Sequence, residues 1–147
     1  MKKIFFCLTL LLAGTFLYAQ NEHQRRDNNI PEPVQQNFKK DHPEVNNSHW
    51  SKSNGKYHAS YTHDNRKTDS YYDAKGTPLY TRTPWTKKEL PSDFDRKIRS
   101  RYHTSKYQVA KIDRPNNQSL FELILNISGK NKTVYTDENG EPVRFTK

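Results

Sequence analysis

Two short sequence patterns each occur twice along the chain, in the same order. The segment IPEPVQQNF at 30–38 is similar to LPSDFDRKI at 90–98, and YYDAKGTPLY at 71–80 is similar to YTDENGEPVR at 135–144. Both copies of the second pattern read Tyr-x-Asp-x-x-Gly-x-Pro, followed by Leu or Val. Two matches in register rarely arise by chance, so the recurrence predicts a tandem duplication of one structural unit.

Each unit is predicted to begin with an amphipathic helix, because apolar residues recur at every fourth position. These residues are Ile30, Val34 and Phe38 in the first unit and Leu90, Phe94, Ile98 and Tyr102 in the second. Pro91 suits a first helical turn, where its missing N–H is not needed. Pro43 is expected to end the first helix just before it.

Strands are predicted to follow each helix. The dipeptide Asn54-Gly55 lies between two alternating runs and favours a two-residue hairpin turn. Such a turn would pair Trp50 with Ala59 and Lys52 with Tyr57. Later, the mostly apolar run 120–127 indicates a central strand. The predicted fold class is α+β, with two tandem helix-plus-antiparallel-sheet units and the helices on one face of the sheet.

The N-terminus has the layout of a secretory signal peptide. Lys2 and Lys3 precede an apolar run at 4–17, which ends in the small-residue site Leu17-Tyr18-Ala19. A membrane-spanning helix needs about 20 apolar residues, and this run is shorter. The predicted organisation is a signal peptide at 1–19, a disordered leader at 20–29, a first unit at 30–83, a linker at 84–89 and a second unit at 90–147.

The export signal places the protein in the periplasm or outside the cell. Cys7, the single cysteine, lies within the signal peptide, so the mature chain is expected to have no disulfide and no thiol nucleophile. Aliphatic residues are sparse, but the chain contains 9 Tyr and 2 Trp. We therefore expect most of these aromatic side chains to lie in the core.

The pattern of motifs resembles PepSY-like proteins of the bacterial envelope with a β-lactamase-inhibitor-protein-like (BLIP-like) fold. The residues that carry this resemblance are Ile30-Pro31, Val34, Phe38, Pro43, Trp50, Gly55-Lys56-Tyr57, Ala59, Tyr71, Asp73, Gly76, Leu90-Pro91, Ile98, Tyr102, Asp137 and Gly140. The resemblance implies two tandem helix-plus-sheet units, a signal peptide and an envelope or extracellular location. It also implies binding, or inhibition, of other proteins there.

Catalytic signatures are missing from the sequence. It contains no Gly-x-Ser-x-Gly elbow, no His-Glu-x-x-His helix, no phosphate-binding loop and no dinucleotide fingerprint. Asp73 and Asp137 are explained as turn residues, because each precedes a glycine by three positions. We predict a non-enzymatic protein with no catalytic, cofactor-binding or metal-binding residue.

Two weaker features have ordinary interpretations. In the predicted hairpin His49 and His58 lie diagonally on one sheet face, but two histidines form an incomplete zinc site. The net charge is +9, and basic residues cluster at Arg96, Lys97, Arg99, Arg101 and Lys106. The export signal argues against nucleic acid as a partner, so this run predicts a solvated helix face with weak attraction to anionic surfaces.

The predicted function is binding to an envelope or extracellular protein through the open face of the sheet, with an inhibitor-like role. The predicted contact residues are Trp85, His49, His58, Tyr72 and Tyr80. Exposed Tyr and Trp side chains are typical of binding hot spots. The alternative is a structural or sensing envelope module that binds peptide, glycan or lipid.

Overall fold

The structure of the protein, a computed structural model, describes residues 29–146. The predicted signal peptide, all but the last residue of the leader, and Lys147 lie outside the described residues. Ten elements follow one another: α1 (Glu32–Asp41), β1 (Ser48–Ser53), β2 (Lys56–His63), β3 (Arg66–Tyr72), β4 (Pro78–Trp85), a short 3-10 helix (Lys87–Glu89), α2 (Phe94–Tyr102), β5 (Tyr107–Asp113), β6 (Ser119–Ile127) and β7 (Lys130–Thr136).

The described strands form a single seven-stranded antiparallel sheet in sequence order. The predicted fold of two tandem helix-plus-sheet units is therefore wrong. Four strands precede α2 and three follow it, and β4 pairs directly with β5 from Thr81–Asp113 to Trp85–Val109. Two separate sheets would leave β4 and β5 with unpaired edges, and joining them satisfies those backbone groups.

The predicted first hairpin is confirmed in register. Trp50 lies opposite Ala59, and Lys52 lies opposite Tyr57. Asn54 and Gly55 both have positive φ, at 51° and 75°. Positive φ at both central positions is what a type I′ turn requires, and asparagine and glycine are the residues that adopt it most readily.

Each helix covers its own hydrophobic cluster. The α1 cluster consists of Val34, Phe38, Tyr57, Ala59, Tyr61 and Tyr72. The α2 cluster consists of Leu90, Phe94, Ile98, Val109, Phe121, Leu123 and Leu125. The helices contribute the later residues of the predicted stripes, Val34 and Phe38 in α1 and Phe94, Ile98 and Tyr102 in α2. The predicted starts were too early, because Ile30, Leu90 and Pro91 lie before the helices.

Both helices lie on the same face of the sheet, as the strand register shows. Ala59, under α1, lies opposite Ser70, which lies opposite Thr81. Trp85 is four residues beyond Thr81 on β4, so it shares that face, and it pairs with Val109 under α2. We call this side the helix face and the opposite side the open face.

A tight turn positions the start of α1. The Asp73 carboxylate accepts hydrogen bonds from the backbone N–H groups of Lys75 and Thr77, both at 2.8 Å. Gly76 has φ 83°, and a Cβ there would lie 2.5 Å from the Pro33 carbonyl oxygen. Only glycine fits this approach, and the Gly76 carbonyl accepts a 2.9 Å hydrogen bond from Asn37.

Candidate functional site: the open face of the sheet

A chain of polar side chains crosses the open face from β1 to β3. The Ser51 Oγ lies 3.1 Å from His58 Nδ1, and His58 Nε2 lies 3.0 Å from Asp69 Oδ1. The Ser60 hydroxyl donates to the same Asp69 oxygen at 2.8 Å. Alternation along each strand places these four side chains on one face, where each is held by a neighbouring strand.

A second group of polar contacts joins β4, β6 and β7. Arg82 lies opposite Asp69 and donates from Nε to the Glu122 carboxylate. Glu122 is only 3% exposed, and its second oxygen accepts a 3.2 Å hydrogen bond from the Tyr135 hydroxyl. A buried carboxylate needs such partners. We call Ser51, His58, Asp69, Arg82 and Glu122 the polar row.

Asp69 is the carboxylate that accepts hydrogen bonds from both His58 and Ser60. Partial burial acts to raise its pKa, but hydrogen bonds from His58 and Ser60 and the nearby positive charge of Arg82 outweigh burial. The pKa of Asp69 therefore lies below its ordinary value. The carboxylate stays ionised and keeps both neighbouring side chains oriented.

Aromatic rings form a second line across the open face. The His58 ring stacks on Tyr71 with centroids 4.6 Å apart, and Tyr71 stacks on Tyr80 at 4.3 Å. Phe145 then meets Tyr80 edge to face at 5.2 Å and contacts Tyr135 at 4.9 Å. Because these rings cover one another's faces, they present mainly edges and polar groups to solvent.

A shallow cavity of about 270 Å³ opens at the β1–β2 end of this face. It is lined by Ser51, Ser53, Asn54, Lys56, His58, Tyr71 and Tyr80. The lining combines hydroxyl, amide, ammonium and imidazole groups with two tyrosine rings. Such a mixture suits contact with a polar protein surface that also offers an apolar side chain.

A hydrolytic triad contains the same residue types as the hydrogen-bonded side chains of Ser51, His58 and Asp69. Acyl transfer also needs hydrogen-bond donors that converge on the developing oxyanion. In a sheet, backbone N–H groups point along the sheet towards neighbouring strands, whereas Ser51 projects perpendicular to it. The backbone N–H groups of β1 therefore point along the sheet and not towards the Ser51 hydroxyl, and Ser51, His58 and Asp69 form a fixed hydrogen-bonding surface.

Three of the five predicted contact residues lie on the open face. His49 and His58 are on neighbouring strands, at the diagonal positions that the register predicted. His49 is exposed, and Tyr80 is 7% exposed within the aromatic line.

The other two lie on the helix face. Tyr72 is 1% exposed in the α1 cluster, where its hydroxyl donates to Asp41 at 3.2 Å. Trp85 is the last residue of β4 rather than part of a linker, and it packs against Phe121 with ring centroids 5.5 Å apart. Neither side chain lies beside the polar row.

Sequence reasoning gave no contact role to several residues of this face, among them Asp69, Tyr71, Arg82, Glu122, Tyr135 and Phe145. Alternation in the run 66–72 could have placed Asp69 beside His58, since both fall on the polar side. Arg82 and Glu122 are far apart in sequence, and their pairing depends on β4 and β5 joining one sheet.

Metal and anion binding have limited support in the described part of the chain. Residues 29–146 contain no group of three or more His, Cys, Asp or Glu side chains that could hold a metal ion. In the predicted basic run, Arg96 pairs with Asp93, Arg99 with Asp95, and Arg101 with Glu141. These pairs partly neutralise the positive field of α2.

Solved structures share this fold. A DUF2874 family protein from Bacteroides ovatus aligns with a TM-score of 0.71 at 19% identity, covering 79% of this chain and 86% of that one. A BLIP-like protein from Bacteroides fragilis aligns with a TM-score of 0.66 at 24% identity, covering 78% and 84%. The expected BLIP-like fold relationship is supported, whereas the PepSY-like resemblance stays a prediction.

A third solved structure shares the fold. A protein from Bacteroides eggerthii, whose name assigns it provisionally to the periplasm, aligns with a TM-score of 0.71 at 18% identity, covering 79% of this chain and 87% of that one.

No protein-family model and no curated protein matches the chain. Within residues 29–146, no helix is long and apolar enough to span a membrane. At these identities the comparisons establish a shared fold only.

Proposed function

We propose that this chain is an exported, non-enzymatic binding module that acts, in an inhibitor-like manner, on an envelope or extracellular protein. The partner would contact the open face where β1, β2 and β3 meet. One observation carries the proposal: the side chains of the polar row are already held in position on a face that the helices do not cover. The fold shared with a BLIP-like protein supports it.

Fixed side chains favour binding because little conformational entropy is lost when a partner docks. His58 is held between Ser51 and Asp69 and is stacked on Tyr71. Tyr80 supports that stack, and His49 lies exposed beside it. We assign the central contacts to His49 and His58, with Tyr80 as the buried support of the stack and the β1–β2 cavity receiving a partner side chain.

The first test uses the mature chain as bait for an envelope fraction, in wild-type form and as His58→Ala. We expect capture of one stoichiometric protein, and a loss of at least tenfold in affinity with His58→Ala, since hot-spot truncations cost about 2 kcal/mol or more. His63→Ala is the matched control: His63 lies on the same strand, but its position places it on the helix face. This control should bind like wild type.

Equal binding by His58→Ala and wild type, with both chains folded, would place the interface elsewhere. Binding of isolated glycan or lipid with no protein captured would favour the sensing alternative instead. The structure supports glycan binding less well than protein binding. A sugar would lie on an exposed aromatic face, and the stacked rings leave few of these.

A further inference from the structure

The C-terminal segment crosses part of the open face. Pro142 bridges to Thr136 at the end of β7, and the Val143 backbone N–H donates to the Tyr135 carbonyl at 2.9 Å. Two residues later, Phe145 contacts both Tyr80 and Tyr135. We call residues 142–146 the C-terminal strap.

Beneath the strap lies an apolar patch on the open face. Ile112 lies opposite Arg82 on one side and Leu120 on the other, so all three project to this face. Ile112 is 0% exposed, Leu120 8% and Tyr80 7%, although no helix covers them. Together with Val143 and Phe145 of the strap they form one cluster. We call Tyr80, Ile112, Leu120 and Tyr135 the strap site.

The strap is held mainly by side chains. Among the described residues, the backbone of 142–146 makes one hydrogen bond to the sheet, from the Val143 N–H to the Tyr135 carbonyl. This bond and the one from the Asp137 N–H to the Glu141 carbonyl together form the Pro142 bridge. Val143 and Phe145 are half-buried, and the Arg114 guanidinium lies 5.0 Å from the Phe145 ring. Elements with few backbone bonds and limited burial open at a free energy below that of global unfolding.

We propose that the strap site is a groove for an extended peptide, which the chain's own C-terminus fills in the absence of a partner. The inference rests on the proposed function and specifies the partner: a protein with an exposed extended segment in which an aliphatic residue precedes an aromatic one by two positions. That segment would lie beside the end of β7 and place its aromatic ring between Tyr80 and Tyr135. The strap itself shows that this spacing fits.

The strap competes with any partner peptide for the strap site, because it is covalently attached to the rest of the chain. A segment linked by a short tether has an effective concentration in the millimolar range. A partner peptide must therefore displace the strap, and the same peptide should bind much better when the strap's anchor is removed. This gives a test that needs no knowledge of the natural partner.

The experiment measures fluorescence anisotropy of a labelled peptide, EPVRFTK, which reproduces residues 141–147. It is titrated with the wild-type chain and with the full-length variant Phe145→Ala. We expect at least tenfold tighter binding to Phe145→Ala than to wild type. A control peptide with alanine at the phenylalanine position should bind neither chain. A folded Phe145→Ala chain that does not bind EPVRFTK, or equal binding by both chains, would overturn the proposal.

Hydrogen exchange of the wild-type chain provides a second measurement that does not depend on the variant folding. The Val143 amide should exchange through a local opening, much faster than the Ile112 amide in the central strand β5. Exchange of both amides only through global unfolding would show that the strap does not open, and would also overturn the proposal. If the peptide test fails while envelope capture still depends on His58, the inference falls and the proposed function stands.

Discussion

The two helices cover cores of different chemistry. The α2 cluster is hydrocarbon: its members are leucine, isoleucine, valine and phenylalanine, and Leu123 and Leu125 are both 0% exposed. The α1 cluster instead takes half of its members from tyrosine, at Tyr57, Tyr61 and Tyr72. Tyrosine buries a large apolar ring but brings a hydroxyl that must find a partner.

The Tyr61 hydroxyl of the α1 cluster belongs to a connected network of hydrogen bonds. Tyr61 lies 2.9 Å from Ser70, whose hydroxyl also lies 3.1 Å from His42 Nε2 and 3.0 Å from Thr81. His42 is the residue directly after α1. The network therefore attaches the end of α1 to β2, β3 and β4 through directional hydrogen bonds. A hydrocarbon core has no groups that could make such bonds.

This difference gives the two regions different sensitivities. The α2 cluster has no titratable side chain among its buried members, so its contribution to stability depends on volume and close packing. The α1 cluster contains groups whose pKa values are displaced by burial: burial raises the pKa of Tyr61 and lowers that of His42. The three predictions below test this contrast, in decreasing order of expected effect.

The largest effect is expected for Leu123→Ala in the α2 cluster. Removing a fully buried leucine side chain leaves a cavity and should lower the free energy of unfolding by about 2–5 kcal/mol. Urea denaturation followed by circular dichroism measures it. A loss below about 1 kcal/mol would show that the core relaxes into the space and is less tightly packed than the structure indicates.

Tyr61→Phe should have a smaller effect, about 1 kcal/mol, because it removes one hydroxyl and leaves the ring in place. Ser70 keeps His42 and Thr81 as partners, so no buried donor is left without one. Tyr102→Phe is the matched control, at a half-buried tyrosine beside the α2 cluster. If both variants lose the same amount of stability in urea, the network does not contribute beyond ring burial.

The pH dependence of stability should be smaller still and specific to the α1 region. Burial lowers the pKa of His42 against the opposing charges of Asp41 and Glu44, and nearby His63 adds to the lowering. The folded chain therefore binds fewer protons than the unfolded chain, whose histidine has an ordinary pKa near 6.5. Stability is fully present above that value and falls as the pH drops below it.

Melting temperatures measured from pH 7.5 to 5 test this sign. His42→Gln should lose less of its melting temperature over that range than wild type does. Leu123→Ala should have a lower melting temperature than wild type at pH 7.5. Its melting temperature should then fall with decreasing pH as steeply as that of wild type. A steeper pH dependence in His42→Gln would contradict the assignment of the effect to His42.

Local features could be predicted from the sequence because short-range chemistry determines them. Asn54-Gly55 specifies its turn type whatever surrounds it, and the register of the first hairpin followed. The recurrent Asp-x-x-Gly turns are also real: Asp137 accepts from the N–H groups of Asn139 and Glu141, both at 2.9 Å, as Asp73 does in its own turn.

The errors concern contacts between distant residues. The recurrent turns suggested two units, but the pairing of β4 with β5 is decided by edge satisfaction across the whole sheet. The errors about the candidate functional site have the same cause. Phe145 lies in a polar C-terminal stretch with no periodic pattern, and only the folded chain shows that it reaches Tyr80. Tyr72 is a predicted contact residue, but alternation along β3 turns it under α1, where it is buried.

The sequence-order sheet has a consequence for how the chain folds. Each described strand pairs with the strand next to it in sequence, and a short turn joins the two strands of every pair except β4 and β5, whose connection contains the 3-10 helix and α2. Local pairings close with little loss of entropy and are associated with fast folding. The β4–β5 pairing brings together strands on either side of α2, so it carries the largest loss of chain entropy among the six pairings of the described sheet.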